Sequence, residues 1–306
     1  FRRVLFRSST YCNASCPQCE RNINGGELNP LVPLKHLDLE EFKERLAELP
    51  NLEKVLFCGN RGDPMMNPHI VEMVKLCKER NLTVGMNTNG SIGTVEQWRN
   101  LGQLLNDIKD YCVFSIDGTE KTNHIYRRGV SWTNLMRNVK EFISEGGPAH
   151  WDMLVFAHNA HEVKECETQA FMLGFKWFRV KETKRFKQAK QITAYGAVLE
   201  PVRWFTPMKA LGPVDCMACQ DSSIYLDAEN NLYPCCWLAS EESYSLERPY
   251  RGVKDPWPQL KKEWEEHDAL SVCVRTCAKW DGENRFVSQW KYEHEFKTIA
   301  IHRARA

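Results

Sequence analysis

Several features that would place a chain in a special class are missing here. No apolar run approaches the length needed to cross a membrane. Neither sign of charge dominates, since 41 Lys and Arg face 40 Asp and Glu, so composition gives no push toward nucleic acid or anionic lipid. Thirteen cysteines in 306 residues are few for a disulfide scaffold, and the N-terminal run does not read as a signal peptide. The expectation is a reducing, cytoplasmic setting. No internal repeat is found beyond an alternation of strand-like and helix-like runs. With 42% hydrophobic residues, a chain of this length can bury one large core, or a medium core beside a smaller domain.

The first eight residues, Phe1-Arg-Arg-Val-Leu-Phe-Arg-Ser8, look like the translation of a sequencing-adapter oligonucleotide and are set aside from functional argument. The competing reading is an ordinary basic strand leading into the next segment. That segment, Tyr11-Cys-Asn-Ala-Ser-Cys-Pro-Gln-Cys19, is the most informative of the chain. Its C-x3-C-x2-C spacing brings Cys12, Cys16 and Cys19 to one loop with no fourth thiolate. A structural zinc site takes four protein ligands, usually as two separated C-x2-C pairs. A cubane held by three thiolates keeps one iron open for a substrate or cofactor. Zinc, or unconnected buried thiols, are the competing readings.

Downstream, apolar residues repeat near 3.6 over 39–49, 68–80, 95–106, 132–145 and 162–173, which predicts helices. Short β-branched or aromatic runs over 52–58, 82–87, 111–116, 152–157 and 176–180 predict strands between them. With a strand before Cys12 this makes six parallel strands, and ligands of such α/β folds gather at the strands' carboxyl ends. The polar motifs fall there: Gly62-Asp63-Pro64, Asn87 and Asn89, Ser115 and Asp117, and His158 with Asn159. Read alone, each is also an ordinary turn or cap, and a lone His is more often structural.

Taken together, the cysteine loop and these motifs resemble the radical S-adenosylmethionine (radical SAM) enzymes. The resemblance implies a partial (β/α)6 TIM-like barrel and a 4Fe-4S cluster whose open iron binds the amino and carboxylate groups of S-adenosylmethionine. Reductive cleavage of that cofactor gives a 5'-deoxyadenosyl radical that takes a hydrogen atom from substrate. By the same resemblance Gly62, Asp63 and Pro64 stand where the family has Gly-Glu-Pro and hold the methionyl amino group. Asn87, Asn89 and Ser115 reach the ribose or carboxylate, and Arg127 or Arg128 pairs with the carboxylate. Two departures are visible: Asp63 replaces the usual Glu, and Gln18 stands before the third cysteine where the family commonly has an aromatic or apolar residue.

From about residue 184 the pattern breaks into a basic stretch, Lys184-Arg-Phe-Lys-Gln-Ala-Lys190, then a Pro- and Gly-containing run to Pro213. This predicts a barrel over 9–183, a solvated linker over 184–213 and a small α+β cysteine-rich domain over 214–306. Ser223 to Cys235 alternates polar and apolar residues about an Asn-rich turn, a hairpin that delivers a thiolate at its end. This hairpin, flanked by Cys216, Cys219, Cys273 and Cys277, resembles the SPASM/twitch extension, which holds auxiliary 4Fe-4S clusters; Asn230 takes the place of its turn glycine. The preferred ligand set for one auxiliary cluster is Cys216, Cys235, Cys273 and Cys277, with Cys219 competing with Cys216. A structural zinc ribbon is the alternative. Cys236 is read as packing, with hydrogen donation to a product radical as the minority role, and Cys58, Cys77, Cys112 and Cys166 as core.

The function expected from the resemblance is peptide modification, served by an electron donor such as flavodoxin or ferredoxin. Alternatives are dehydrogenation or rearrangement of a small molecule or nucleotide, RNA modification through the basic stretch, and a noncatalytic zinc-binding interaction protein.

Overall fold

The computed structural model describes residues 1–183, 185–186, 188–202, 213–239, 255–280, 283–284 and 290–296. Its barrel half runs β1 (Arg3–Phe6), α1 (Leu39–Ala47), β2 (Lys54–Phe57), α2 (Ile70–Glu79), β3 (Thr83–Thr88), α3 (Val95–Leu104), β4 (Tyr111–Ser115), α4 (Asn123–Tyr126), α5 (Trp132–Ser144), β5 (Ala149–Val155), α6 (Val163–Leu173) and β6 (Trp177–Glu182). β1 through β6 pair in sequence order, all parallel. This is the α/β, TIM-like partial barrel that the resemblance implied, and the alternation of elements agrees with it.

Local chemistry sets the helix ends. Asp38 accepts from the amides of Glu40 and Glu41 to start α1, and Thr94 and Gln97 form a reciprocal capping box at α3. Ser131 caps α5, and Gly174 closes α6 in the left-handed conformation at φ 88°. Alternate strand residues, among them Val4, Phe6, Val55, Phe57, Val84, Met86, Phe114, Trp151 and Phe178, join the helices' apolar faces in one buried cluster. The intervening positions form a smaller cluster, Leu56, Cys58, Tyr225, Tyr233 and Ala239, with Leu5 and Tyr111 packed on it. Cys77, Cys112 and Cys166 are fully buried.

The element bounds differ from expectation in places. β5 begins at Ala149, immediately after Gly147-Pro148, and His150 stacks on Tyr111 with ring centroids 5.2 Å apart. β6 runs on to Glu182, because the half-buried Lys181 and Glu182 are polar positions that continue the strand beyond its apolar run. Residues Arg3 to Phe6, set aside in the sequence, are a central strand: they pair with β2 on one side and with the strand Ser223–Leu226 on the other, and Val4 and Phe6 are fully buried.

The C-terminal part adds to this same sheet. After the hairpin β7 (Gln191–Ile192) and β8 (Val198–Leu199) and the short α7 (Met217–Gln220) comes β9 (Ser223–Leu226), parallel to β1, and β10 (Leu232–Tyr233), antiparallel to β9. The strand Trp290–Glu295 lies antiparallel to β6 at the opposite edge, giving a nine-stranded sheet among the described residues. Asn230 adopts φ 61° in the β9–β10 turn, the conformation that lets Asn stand in for glycine. Two helices, α8 (Trp257–Glu265) and α9 (Ser271–Cys277), pack with Cys216 and Leu238 as a second small core.

Candidate active site at the barrel mouth

The cysteine loop leaves the carboxyl end of β1 and folds back on itself. The Cys19 amide donates to the Cys16 carbonyl at 3.0 Å, and the Arg21 guanidinium donates to the Ala14 carbonyl at 2.8 Å. Asn22 donates from its side chain to the Cys16 carbonyl at 3.3 Å. Two of the three sulfurs receive N–H groups: Cys12 Sγ from the Ala14 amide at 3.3 Å and Asn89 Nδ2 at 3.6 Å, and Cys16 Sγ from Arg127 Nη1 at 3.8 Å. Burial pushes the Cys12 thiol up to about 12 and the Cys16 thiol up to about 11. Without a metal, both are therefore neutral at pH 7, and a bound cation would reverse that preference. Among the described residues no three His, Cys, Asp or Glu side chains converge on a single metal ion. Three thiols on one loop, two of them receiving N–H donors, fit a thiolate-held iron-sulfur cluster.

The loop after β2 is stitched to the start of the cysteine loop. A Cβ on Gly62 would lie 1.9 Å from the Ser9 carbonyl oxygen, so only glycine lets the two backbones approach. The next residue, Asp63, donates its amide to the Tyr11 carbonyl at 2.9 Å. Its buried carboxylate accepts from the Met65 amide at 3.0 Å, from Thr88 Oγ1 at 2.9 and 3.0 Å, and from the Asn89 amide at 2.8 Å. Burial raises its pKa to about 6 against those donors. Asp63 thus caps the 3-10 turn Pro64–Met66 and ties it to the end of β3. The sequence motif foresaw an ammonium ligand; this clamp is a role that the resemblance did not suggest.

At the other strand ends, Asn87 pairs in register with Val113, and Ser115 with Asp152, both half-buried. Asn89 bonds Asn13 Oδ1 at 2.9 Å as well as Cys12. Arg127 and Arg128 part company. Arg127 turns toward Cys16 and Asp117, whereas Arg128 stacks over the Tyr195 ring at 4.1 Å while its carbonyl accepts from the Ser15 amide at 2.8 Å. His158 stacks on Phe156 at 5.3 Å, its ring nitrogens buried and without hydrogen-bond partners, and burial lowers its pKa. Asn159 is structural: it donates to the Asp117 and Leu154 carbonyls.

The predicted linker is more than a tether in its described part. Arg185 donates to the Gln18 carbonyl at 3.0 Å, and the Gln18 side chain bonds Thr183 at 3.0 Å and Gln191 at 3.1 Å. Gln191 reaches Asn24 at 2.6 Å, and the Tyr195 hydroxyl donates to the Ile125 carbonyl at 2.8 Å. The described residues 185–186 and 188–199 therefore form a strap across the cysteine loop. The polar Gln18, anomalous in the sequence, is the signal that could have foretold it.

A sequence profile for the Radical SAM superfamily matches residues 6–166, just over half of the chain. The chain belongs to the radical SAM superfamily. Among curated relatives, the tungsten-containing aldehyde ferredoxin oxidoreductase cofactor-modifying protein of Pyrococcus furiosus is 30% identical over 109 residues, covering 35% of this chain and 28% of that protein. The AdoMet-dependent heme synthase of Methanosarcina barkeri is 23% identical over 178 residues, covering 56% and 48%. The chain thus spans about half or less of these relatives' length. Among solved structures, native anSMEcpe with bound AdoMet superposes with a TM-score of 0.60 at 12% identity, covering 91% of this chain and 89% of that one. Streptococcus suis SuiB bound to S-adenosylmethionine gives 0.54 at 10% identity, covering 80% and 64%. Both likenesses concern the fold.

In this radical SAM chain the cysteines of the C-terminal part do not all share one environment. Cys216, Cys235, Cys273 and Cys277 line one cavity walled by Trp237, Trp257, Trp264 and Leu260. A hydrogen bond from the Cys277 thiol lowers the Cys216 thiol, and the same contact with burial pushes Cys277 up. Cys219 is absent from that lining and lies near Lys261. Cys236, next in sequence to Cys235, instead packs on the barrel's inner cluster with Cys58 and Tyr225.

Proposed function

We propose that this radical SAM enzyme holds its catalytic 4Fe-4S cluster on Cys12, Cys16 and Cys19, carries a second on Cys216, Cys235, Cys273 and Cys277, and modifies a peptide. The observation that carries the reading is the pairing of two separate thiol sets: a three-cysteine loop at the barrel mouth and a four-cysteine, tryptophan-walled cavity. The absence of Cys219 from the cavity favours Cys216 in the ligand set. When bound, the N-terminal cluster would supply the electron that cleaves S-adenosylmethionine, drawn from a one-electron donor such as flavodoxin or ferredoxin.

The chain's own residues do the rest. Asp63 and Gly62 fix the loop after β2 against the cysteine loop, which leaves backbone groups of residues 59–62, rather than the occupied Asp63 carboxylate, to meet the methionyl ammonium. Asn87 and Ser115, at the strands' carboxyl ends, serve the ribose or carboxylate. The strap covers one side of the cysteine loop and limits water there.

Peptide substrates are supported by the fold neighbours, which include SuiB bound to precursor peptide SuiA and anSMEcpe bound to Kp18Cys peptide. A small-molecule reading is favoured by the curated heme synthase relatives. The test is hydrogen transfer into 5'-deoxyadenosine from deuterated substrates. Peptide modification predicts deuterium in 5'-deoxyadenosine from a deuterated peptide library; transfer only from a deuterated porphyrin precursor would sink it in favour of the small-molecule reading.

A further inference from the structure

The loop after β4 contains a buried ion pair that ends on a cluster thiol. Asp117 is fully buried, and its Oδ2 accepts from Arg127 Nε at 2.6 Å, with the Arg127 side chain only 17% exposed. The far side of the same guanidinium, Nη1, donates to Cys16 Sγ at 3.8 Å. The carboxylate is held in place on every side. Asp117 Oδ1 accepts from the Leu154 amide at 2.7 Å, its own amide donates to Asn123 Oδ1 at 2.8 Å, and its carbonyl accepts from Asn159 Nδ2 at 2.9 Å. Arg127's backbone is fixed as well, its amide donating to the Asn123 carbonyl at 2.8 Å, and its guanidinium lies 5.5 Å above the Tyr126 ring. The two described side-chain hydrogen bonds of Arg127 thus join Asp117 to the Cys16 sulfur.

We propose that Arg127, oriented by Asp117, is a positioning residue that sets the reduction potential of the N-terminal cluster through Cys16, rather than a ligand of the cofactor carboxylate. The inference rests on the cluster assignment made above. One-electron reduction adds a negative charge to the cluster and its thiolates, and a fixed cation beside one thiolate favours that reduced state. Hydrogen bonds to the sulfurs act in the same direction, because they strengthen as charge builds on the acceptor. Arginine suits this task because it remains protonated in the interior and its planar fork spans Asp117 and Cys16 together.

The experiment is a potentiometric titration of the reconstituted enzyme in the absence of S-adenosylmethionine. It is followed by the EPR signal of the reduced cluster that S-adenosylmethionine perturbs, in the native chain, Arg127→Met and Arg127→Lys. At the native midpoint potential the ratio of reduced to oxidised cluster is expected to fall roughly three- to tenfold in Arg127→Met, the scale of a charge-assisted hydrogen bond, with Arg127→Lys between the two. An unchanged midpoint in both variants, with weakened S-adenosylmethionine binding, would overturn the proposal and return Arg127 to the cofactor carboxylate. If Arg127→Met fails to retain iron, Arg127→Lys, which keeps the charge, decides by the same measure. Absence of a perturbable EPR signal in the native chain would instead count against the cluster assignment itself.

Discussion

Gly62→Ala is expected to destabilise the protein by about 3 kcal/mol and to strip the N-terminal loop of iron. The added Cβ would stand 1.9 Å from the Ser9 carbonyl oxygen and 2.8 Å from both the Ser9 carbonyl carbon and Thr10 Cα. All three are backbone atoms of the segment that leads into Cys12, so no side chain can swing aside. Relief requires the loop after β2 to part from β1's extension, and with it goes the bond from the Asp63 amide to the Tyr11 carbonyl at 2.9 Å. Gly146 offers the contrast. Unlike Gly62 it has a positive φ, 95°, but among the described residues nothing lies within 4 Å of its added Cβ, so Gly146→Ala costs only the backbone term, about 1–2 kcal/mol. Denaturant unfolding of the cluster-free chains, paired with iron analysis after reconstitution, checks both. Gly62→Ala retaining native stability and iron would show that the two loops are not mutually dependent.

Exchanging Cys273 and Cys277 together for serine is expected to remove about four of about eight irons while leaving reductive cleavage of S-adenosylmethionine in place. Both side chains line the cavity that Cys216 and Cys235 share, and each of the four thiols has another of the set nearby. Losing two donors from one side leaves too few to hold a cubane, whereas the barrel-mouth thiols lie in a different cluster of buried residues. Iron and sulfide analysis reads the first effect, and 5'-deoxyadenosine formation the second. Unchanged iron, or loss of one zinc per chain in its place, would remove the auxiliary cluster from the account.

Much of the barrel was legible because its signals are local. Apolar periodicity located α1 to α3, α5 and α6, and the strand-end motifs fell where parallel sheets place ligands. Polar residues hid the true extent of β5 and β6, since His150 and Lys181 fall just outside the apolar runs that mark these strands. Long-range contacts were illegible for a different reason. The strap over the cysteine loop depends on Gln18 meeting Thr183 and Gln191, more than 160 residues away in sequence, and no periodicity encodes such a pairing. The hairpin's union with β1 is equally nonlocal, and it extends the barrel sheet at that edge. At the site, the motifs drew attention to these loops but did not show the division of labour within them. Asp63 spends its carboxylate on Thr88 and Asn89, and the adjacent arginines Arg127 and Arg128 face different partners.

The central claim is that Cys12, Cys16 and Cys19 hold the cluster at which S-adenosylmethionine is cleaved. Its most direct test is iron, sulfide and zinc content after anaerobic reconstitution, with 5'-deoxyadenosine assayed after dithionite and S-adenosylmethionine are added, in the native chain and in a variant carrying alanine at all three positions. The account predicts about eight irons in the native chain, a fall of about four in the variant, and loss of 5'-deoxyadenosine with them. Zinc in place of iron, with no cleavage by either protein, would contradict it.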